Sequence, residues 1–296
     1  MSNPLISFLI CYRTEEQSDN RCNLFMMLQA FKDFLKPTDY DKVEVLVRID
    51  DDDIVAHDRL VRDNYQQQLP FTFKVFEHNK WEGRYAFNYH HMYLFSQRNP
   101  NSKFIGFMGD DCIHLPKCKD MIDEIEKKYL NKDYVILRSS DYDDTYPPKK
   151  PTDLKMKQRL EEITKMGDYR DLKVTQRWCT SFLVESYPIV SVKLLEVIGN
   201  LGWQLNIDST LSLLNIMLYQ KYGLNMYFML DSKLYNRMDG TRKDKINPPA
   251  KIFNHEMTLH GSKASGNPYL YTLMEQQAKN IYLNMKEEGV LDEYKV

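Results

Sequence analysis

Phe104-Ile-Gly-Phe-Met108 is a short apolar run that ends at Gly109-Asp110-Asp111, and Val43-Glu-Val-Leu-Val-Arg-Ile49 runs directly into Asp50-Asp51-Asp52-Asp53. Each run has the length and β-rich character of a buried strand. Each stops at a group of carboxylates. Outward from these two stretches the pattern repeats. Leu5-Ile-Ser-Phe-Leu-Ile10 reads as a first buried strand. It is followed by a polar loop, Arg13 to Asn20, and then by Leu24, Met27, Leu28, Phe31 and Leu35, one face of a helix that Pro37 closes. A polar helix is expected over 54–66. Phe71–Phe76 alternates like a half-exposed strand. Tyr85, Tyr89, Met92 and Tyr93 suggest another helix. Pro116 opens one whose apolar face is Met121, Ile122, Ile125 and Tyr129.

Strand and helix therefore alternate through the first half. Alternation of this kind predicts an α/β fold, with a mostly parallel, Rossmann-like sheet flanked by helices. Ligands of such sheets bind beyond the carboxyl ends of the strands, where both acidic clusters fall. Later in the chain, Tyr134–Arg138 and Leu224–Leu230 read as strands. Residues 154–166, 190–198, 209–222 and a final stretch through Leu270, Ile281 and Met285 read as helices. Residues 141–152 and 236–268 read as loops, the second rich in Gly, Pro, Lys and Asn. The expected organisation is one globular domain. Residues 1–140 form its ligand-binding half, and 141–296 an opposing half with a mobile loop and a C-terminal helix.

The 296 residues suit such a domain, and a net charge of −2 argues against a dedicated nucleic-acid binder. Five scattered cysteines, Cys11, Cys22, Cys112, Cys118 and Cys179, are expected as reduced thiols in a cytoplasmic setting. Compact zinc patterns pair closer cysteines and add a second pair, which is missing here. No apolar stretch approaches the ~20 residues of a membrane span. No charged leader precedes Leu5, so a signal peptide is not expected.

Gly109-Asp110-Asp111 carries the strongest chemical signal. Hard divalent cations take carboxylate oxygens and bridge them to a diphosphate. The bland alternative is a surface turn. Asp50–Asp53 repel one another, which stability alone would not favour. Asp50 and Asp51 fall at a strand end, Asp52 and Asp53 at a helix start, where carboxylates are welcome. An EF-hand is ruled out, because its Gly and distal Glu are missing. His90-His91 lie on different faces of a helix, so they are not expected to share a metal.

Three strand-end motifs taken together, Leu5–Ile10 with Cys11-Tyr-Arg13, Ile49-Asp-Asp-Asp-Asp53 and Phe107-Met-Gly-Asp-Asp111, resemble glycosyltransferase family 2 and its GT-A relatives. The resemblance covers about residues 4–125. Cys11-Tyr12 replaces the commoner Pro-Thr-Tyr, and Gly-Asp-Asp-Cys replaces a full Asp-x-Asp. The resemblance implies a GT-A fold with a C-terminal helical and loop extension. It implies a nucleotide-sugar donor (UDP- or GDP-linked), a glycan hydroxyl acceptor, and Mn²⁺ or Mg²⁺ on the donor diphosphate. Asp111, with Asp110 beside it, becomes the expected metal ligand, and His260 on the later loop a further one; His255 is a weaker candidate. Asp50 or Asp51 contacts the nucleotide, near Cys11. Asp208 stands where the family has a base, and equally where a helix would have its N-cap. Arg13, Lys80 and Arg84 are candidate diphosphate contacts, and Arg177 and Trp178 candidate acceptor contacts; each also reads as an ordinary surface or core residue. Two other classes share some of these features: a nucleotidyltransferase or polymerase-like metal enzyme, and a non-catalytic carbohydrate-binding module.

Overall fold

The computed structural model describes residues 3–14, 23–79, 86–109, 112–114, 120–142, 188–199, 207–236 and 268–296. Among them lie the strands β1 (Ile6–Cys11), β2 (Val43–Asp50), β3 (Thr72–His78), β4 (Phe104–Gly109), β5 (Cys112–His114), β6 (Ile136–Tyr142), β7 (Ile189–Ser191) and β8 (Tyr227–Asn236). They form one sheet in the order β3-β2-β1-β4-β7-β6-β8-β5. The block β3-β2-β1-β4 is parallel throughout. β7 is antiparallel to both β4 and β6. β8 returns parallel to β6, and β5 closes the edge antiparallel to β8. The sheet is mostly parallel, as the alternation of strands and helices requires.

Every residue of β2 and β4 is buried, and β1 is buried up to its last residue. Such runs need cover on both faces. Helix α1 (Asn23–Phe34) supplies one cover. Its Leu24, Met27, Leu28 and Phe31 are buried, with Leu35 just beyond it, and the Phe31 ring lies 5.0 Å from that of Phe8. Each such side chain contributes about 1.5–3 kcal/mol on leaving water. Phe8 is paired in register with Gly106 of β4. A Cβ at Gly106 would lie 2.3 Å from the Phe8 ring, so glycine is what lets that ring lie across β4. Helix α3 (Ala86–Gln97) covers the other face, where its buried His91 meets Phe107 edge-on at 5.4 Å. Phe8 and Phe107 belong to the two sides of the pleat, since Phe107 pairs with Leu9.

The later elements extend the same sheet. The short α5 (Val192–Ile198) follows β7 directly. Helices α6 (Ile207–Tyr222) and α7 (Pro268–Glu287) pack together, with Tyr222 and Tyr282 stacked at 4.1 Å. The final residues are stitched in: Asn225 N–H donates to Tyr294 O at 2.8 Å, Val296 N–H to Gly223 O at 3.1 Å, and Tyr134 N–H to the Tyr294 hydroxyl at 3.2 Å.

Several expectations need correction. The helix expected over 54–66 is three short pieces: α2 (Ile54–His57), a π turn over Asp58–Arg62 and a 3₁₀ turn over Tyr65–Gln68. Only Ala56 and Leu60 of this stretch are buried, so no apolar stripe sustains a longer helix, and Asn64 turns left-handed at φ 51°. The helix expected from 190 begins at Val192, because Ile189–Ser191 is a strand held between β4 and β6. The strands expected at 134 and 224 begin at Ile136 and Tyr227 and run further. Helix α4 is observed over Met121–Tyr129, and α6 starts at Ile207 rather than 209. The readings for 15–20, 143–152, 154–166 and 237–267 lie outside the described residues.

Candidate functional site

β1 is flanked by β2 on one side and β4 on the other. The chain builds β1, β2 and β3 outward in one direction, then crosses back to place β4 on the other side of β1. The carboxyl ends of β1 and β4 therefore form a topological switch point, the place where an open α/β sheet leaves a crevice. Cys11 is in register with Arg48 and with Gly109, so three strands finish side by side there. Out of these ends come Tyr12-Arg13-Thr14, Asp50–Asp53, and the Asp110-Asp111 pair that follows Gly109 in the chain.

The segments after β1 and β2 are tied together. Arg13 Nη1 donates to Asp50 Oδ2 at 2.6 Å and to Asp52 Oδ1 at 2.5 Å, and Arg13 Nη2 to Asp52 Oδ2 at 3.2 Å. Arg48 Nη1 donates to the other Asp50 oxygen, and its Nη2 to the carbonyls of His78 at 3.1 Å and Asn79 at 2.8 Å. Asp53 caps α2, accepting from Ala56 N–H at 3.0 Å, and also accepts from Thr14 N–H at 2.6 Å. The four-carboxylate run is thus offset by two arginines and two backbone donors. Burial alone would raise the Asp50 pKa, but the hydrogen bonds and charges of Arg48 and Arg13 outweigh it and hold the carboxyl below its ordinary range. The hydrogen bond to Asp52 leads in raising that of Arg13, opposed by burial and assisted by Asp50.

Beneath the crevice, His91 is fully buried, and its Nε2 lies 3.2 Å from Leu9 O and 3.4 Å from Met108 O. Carbonyls only accept, so Nε2 carries the proton. His90 is half-buried near Arg48, Asp50 and His78. Burial first, then the charges of Arg48 and His78, bring its pKa from 6.5 down to about 4, with Asp50 opposing. The unfolded chain would protonate this imidazole near its ordinary value. Between the two values the unfolded state binds more protons, so stability falls as the pH drops through that window. His90→Gln should therefore reduce the loss of denaturation midpoint between about pH 7 and pH 5 relative to the unsubstituted chain. An unchanged loss would mean that His90 does not titrate on unfolding.

The candidates from the sequence fall into two groups. Cys11, Arg13, Asp50 and Asp51 meet at the crevice: Cys11 is half-buried, Asp50 buried, and Asp51 exposed with its N–H on His78 O at 3.0 Å. Asp208 is the second residue of α6, inside the helix rather than ahead of it. Lys80, Arg84, Asp110, Asp111, Arg177, Trp178, His255 and His260 lie outside the described residues. Among the described residues no group of three His, Cys, Asp or Glu side chains converges as a metal site. Asp110 and Asp111 suit a hard cation by chemistry, being consecutive carboxylates that follow a buried strand in the sequence. Sequence reasoning missed Arg48. The signal was available, since a charge inside an apolar strand must find a partner. Glu44 in the same strand does so, accepting from Ser7 Oγ and from Asn99 N–H at 2.7 Å.

No protein-family model matches the chain, and no curated protein matches its sequence. Among solved structures it is similar to TarS 1–349 of S. aureus, with 13% identity and a TM-score of 0.46 over 79% of this chain. This chain spans 60% of that one. It is also similar to the mannosyltransferase PcManGT from Pyrobaculum calidifontis, solved in complex with GDP-Man and Mn²⁺: 12% identity, TM-score 0.46, 97% of this chain and 80% of that one. A third is the 4-diphosphocytidyl-2C-methyl-D-erythritol synthase from Anaerococcus prevotii: 10% identity, TM-score 0.42, 86% of this chain and 99% of that one. Likenesses this distant carry no argument about the site. The fold is established by the sheet itself: α/β, mostly parallel, with a topological switch point where β1 and β4 end.

Proposed function

We propose that this chain is a metal-dependent glycosyltransferase of the GT-A type, moving a sugar from a UDP- or GDP-sugar to a hydroxyl of a glycan or related acceptor. The observation that carries the reading is the coincidence of three resembling motifs with three adjacent strand ends at the switch point. Residues before about 140 would supply the donor side and later ones the acceptor side. Among the described residues no helix is long and apolar enough to cross a membrane.

In this reading Asp111, with Asp110 and His260, holds Mn²⁺ or Mg²⁺. Bound there, the cation would offset the charge of the departing diphosphate. Arg13, Lys80 and Arg84 add positive charge to the same group. Cys11 lines the nucleotide end of the crevice. Of the two carboxylates at the end of β2, exposed Asp51 suits the nucleotide, because both oxygens of Asp50 already accept from arginines. Asp208 takes the proton from the acceptor hydroxyl as its oxygen attacks the anomeric carbon. Arg177 and Trp178 flank that acceptor.

Ligand linkage tests the reading. UDP or GDP with Mn²⁺ should bind only the folded chain and raise its melting temperature. At about 100 times Kd the gain is about 2.7 kcal/mol, several degrees for a chain of this size. No shift with either nucleotide at millimolar concentration would remove the donor site.

A further inference from the structure

Arg48 is a fully buried charge in the core, 2% exposed, in a strand whose other charged residues are Glu44 and the terminal Asp50. Its guanidinium bridges the end of β3, through the carbonyls of His78 and Asn79, to Asp50 Oδ1. Asp50 passes the connection on: its other oxygen holds Arg13, which Asp52 grips from the far side. The three bonds to Arg13 use both N–H groups of Nη1 and one of Nη2. The Asp52 carboxylate spans Nη1 and Nη2 end-on. The N–H groups remaining, among the described residues, are Nε–H and the Nη2–H beside it. That pair is the side-on fork of a guanidinium, spaced for two oxygens of one phosphate. The Arg13 side chain is 44% exposed, so the fork can be reached.

We infer that Arg48 and Asp50 are positioning residues for Arg13, holding its side-on fork for the diphosphate of the nucleotide donor. Asp50 then does not read the base, although its place at the end of β2 suggests that it would. The inference rests on the proposed donor site. The physical reason for the relay is rotamer freedom. A lone exposed arginine loses it on gripping a phosphate, whereas one already fixed by two carboxylates has lost it beforehand. The pairs Arg48–Asp50 and Arg13–Asp52 balance in charge, so Arg13 and Thr14 can stay tied to the residues after β2 before any ligand arrives.

The test is a double-mutant cycle on the affinity for UDP and for GDP, each with Mn²⁺, measured calorimetrically well below the melting temperature of each variant. Arg13→Gln should weaken binding about ten- to a hundred-fold, the usual worth of a charge-assisted pair of hydrogen bonds. Asp50→Asn should weaken it several-fold in the parent and leave it unchanged in the Arg13→Gln background, because its effect passes through Arg13. Arg13→Lys, which keeps the charge and loses the fork, should stay close to Arg13→Gln. If Asp50→Asn does not fold, Asp52→Asn, at an exposed carboxylate, takes its place in the cycle. Equal losses in both backgrounds would overturn the relay, as would full affinity in Arg13→Lys. Failure of the unsubstituted chain to bind either nucleotide would overturn the donor site and the relay with it, whereas binding with additive losses would overturn the relay alone.

Discussion

Asp208→Asn should slow sugar transfer by about 10²–10⁴-fold, the usual worth of a positioned base, while leaving donor affinity and folding nearly intact. A purely structural Asp208 predicts something else. The helix begins at Ile207, so Asp208 sits in the first turn of α6 and not ahead of it. A carboxylate there interacts with the helix dipole, worth about 0.3–1 kcal/mol, and its loss leaves the rate unchanged. Asp111→Asn is the companion variant. It should lower metal-dependent donor affinity as well as rate, because its proposed place is on the cation and not on the acceptor. Transfer rate, donor affinity and melting temperature on the two variants separate the assignments. Normal transfer by Asp208→Asn would leave the proton to another group, or to a retaining reaction that needs no such base.

Arg48→Met carries the largest expected effect on stability, a loss of about 3–5 kcal/mol, as when one partner of a buried ion pair is removed. Arg48 is 2% and Asp50 8% exposed by side chain, so Asp50, left with Arg13 alone, has little water to turn to for its second oxygen. The carbonyls of His78 and Asn79 also lose their shared donor. The double variant Arg48→Met/Asp50→Asn should recover part of the loss, since the carboxylate that lost its buried partner then carries no charge. Urea midpoints and slopes for the parent, both single variants and the double variant measure this. A loss under about 1 kcal/mol for Arg48→Met would place the pair among weak surface bridges and not in the core.

The parts of the fold legible in the sequence were those fixed by local pattern. Leu5–Ile10, Val43–Ile49 and Phe104–Met108 are largely apolar runs, broken only by Ser7, Glu44, Arg48 and Gly106, because both faces of a parallel strand are covered. The face of α1 is a clean helical stripe because it has one surface to cover. β7 was illegible for the opposite reason. Its three residues run into an apolar helix, and only their pairing with β4 and β6 makes them a strand. The segment after Asp53 looked helical because its composition is helical, but it buries too little to hold a regular helix. At the site, the sequence located the strand ends and their carboxylates. It could not give their partners, since Arg13 meets Asp50 across 37 residues of chain and Arg48 meets the carbonyls of the next strand's end. Asp50 and Asp51 are equivalent in the sequence; burial and two arginines make them different.

In the proposed function the ends of β1 and β4 hold a nucleotide sugar and release its nucleoside diphosphate. One measurement decides this: the chain is incubated with UDP- and GDP-sugars and a panel of hydroxyl acceptors, and separately with nucleoside triphosphates and sugar phosphates, each with Mn²⁺ or with chelator, and both nucleoside diphosphate and pyrophosphate are assayed. Nucleoside diphosphate release should need Mn²⁺, rise with the right acceptor and be lost in Asp111→Asn. Pyrophosphate release from a nucleoside triphosphate and a sugar phosphate, with no nucleoside diphosphate from any nucleotide sugar, would contradict it and make the chain a nucleotidyltransferase.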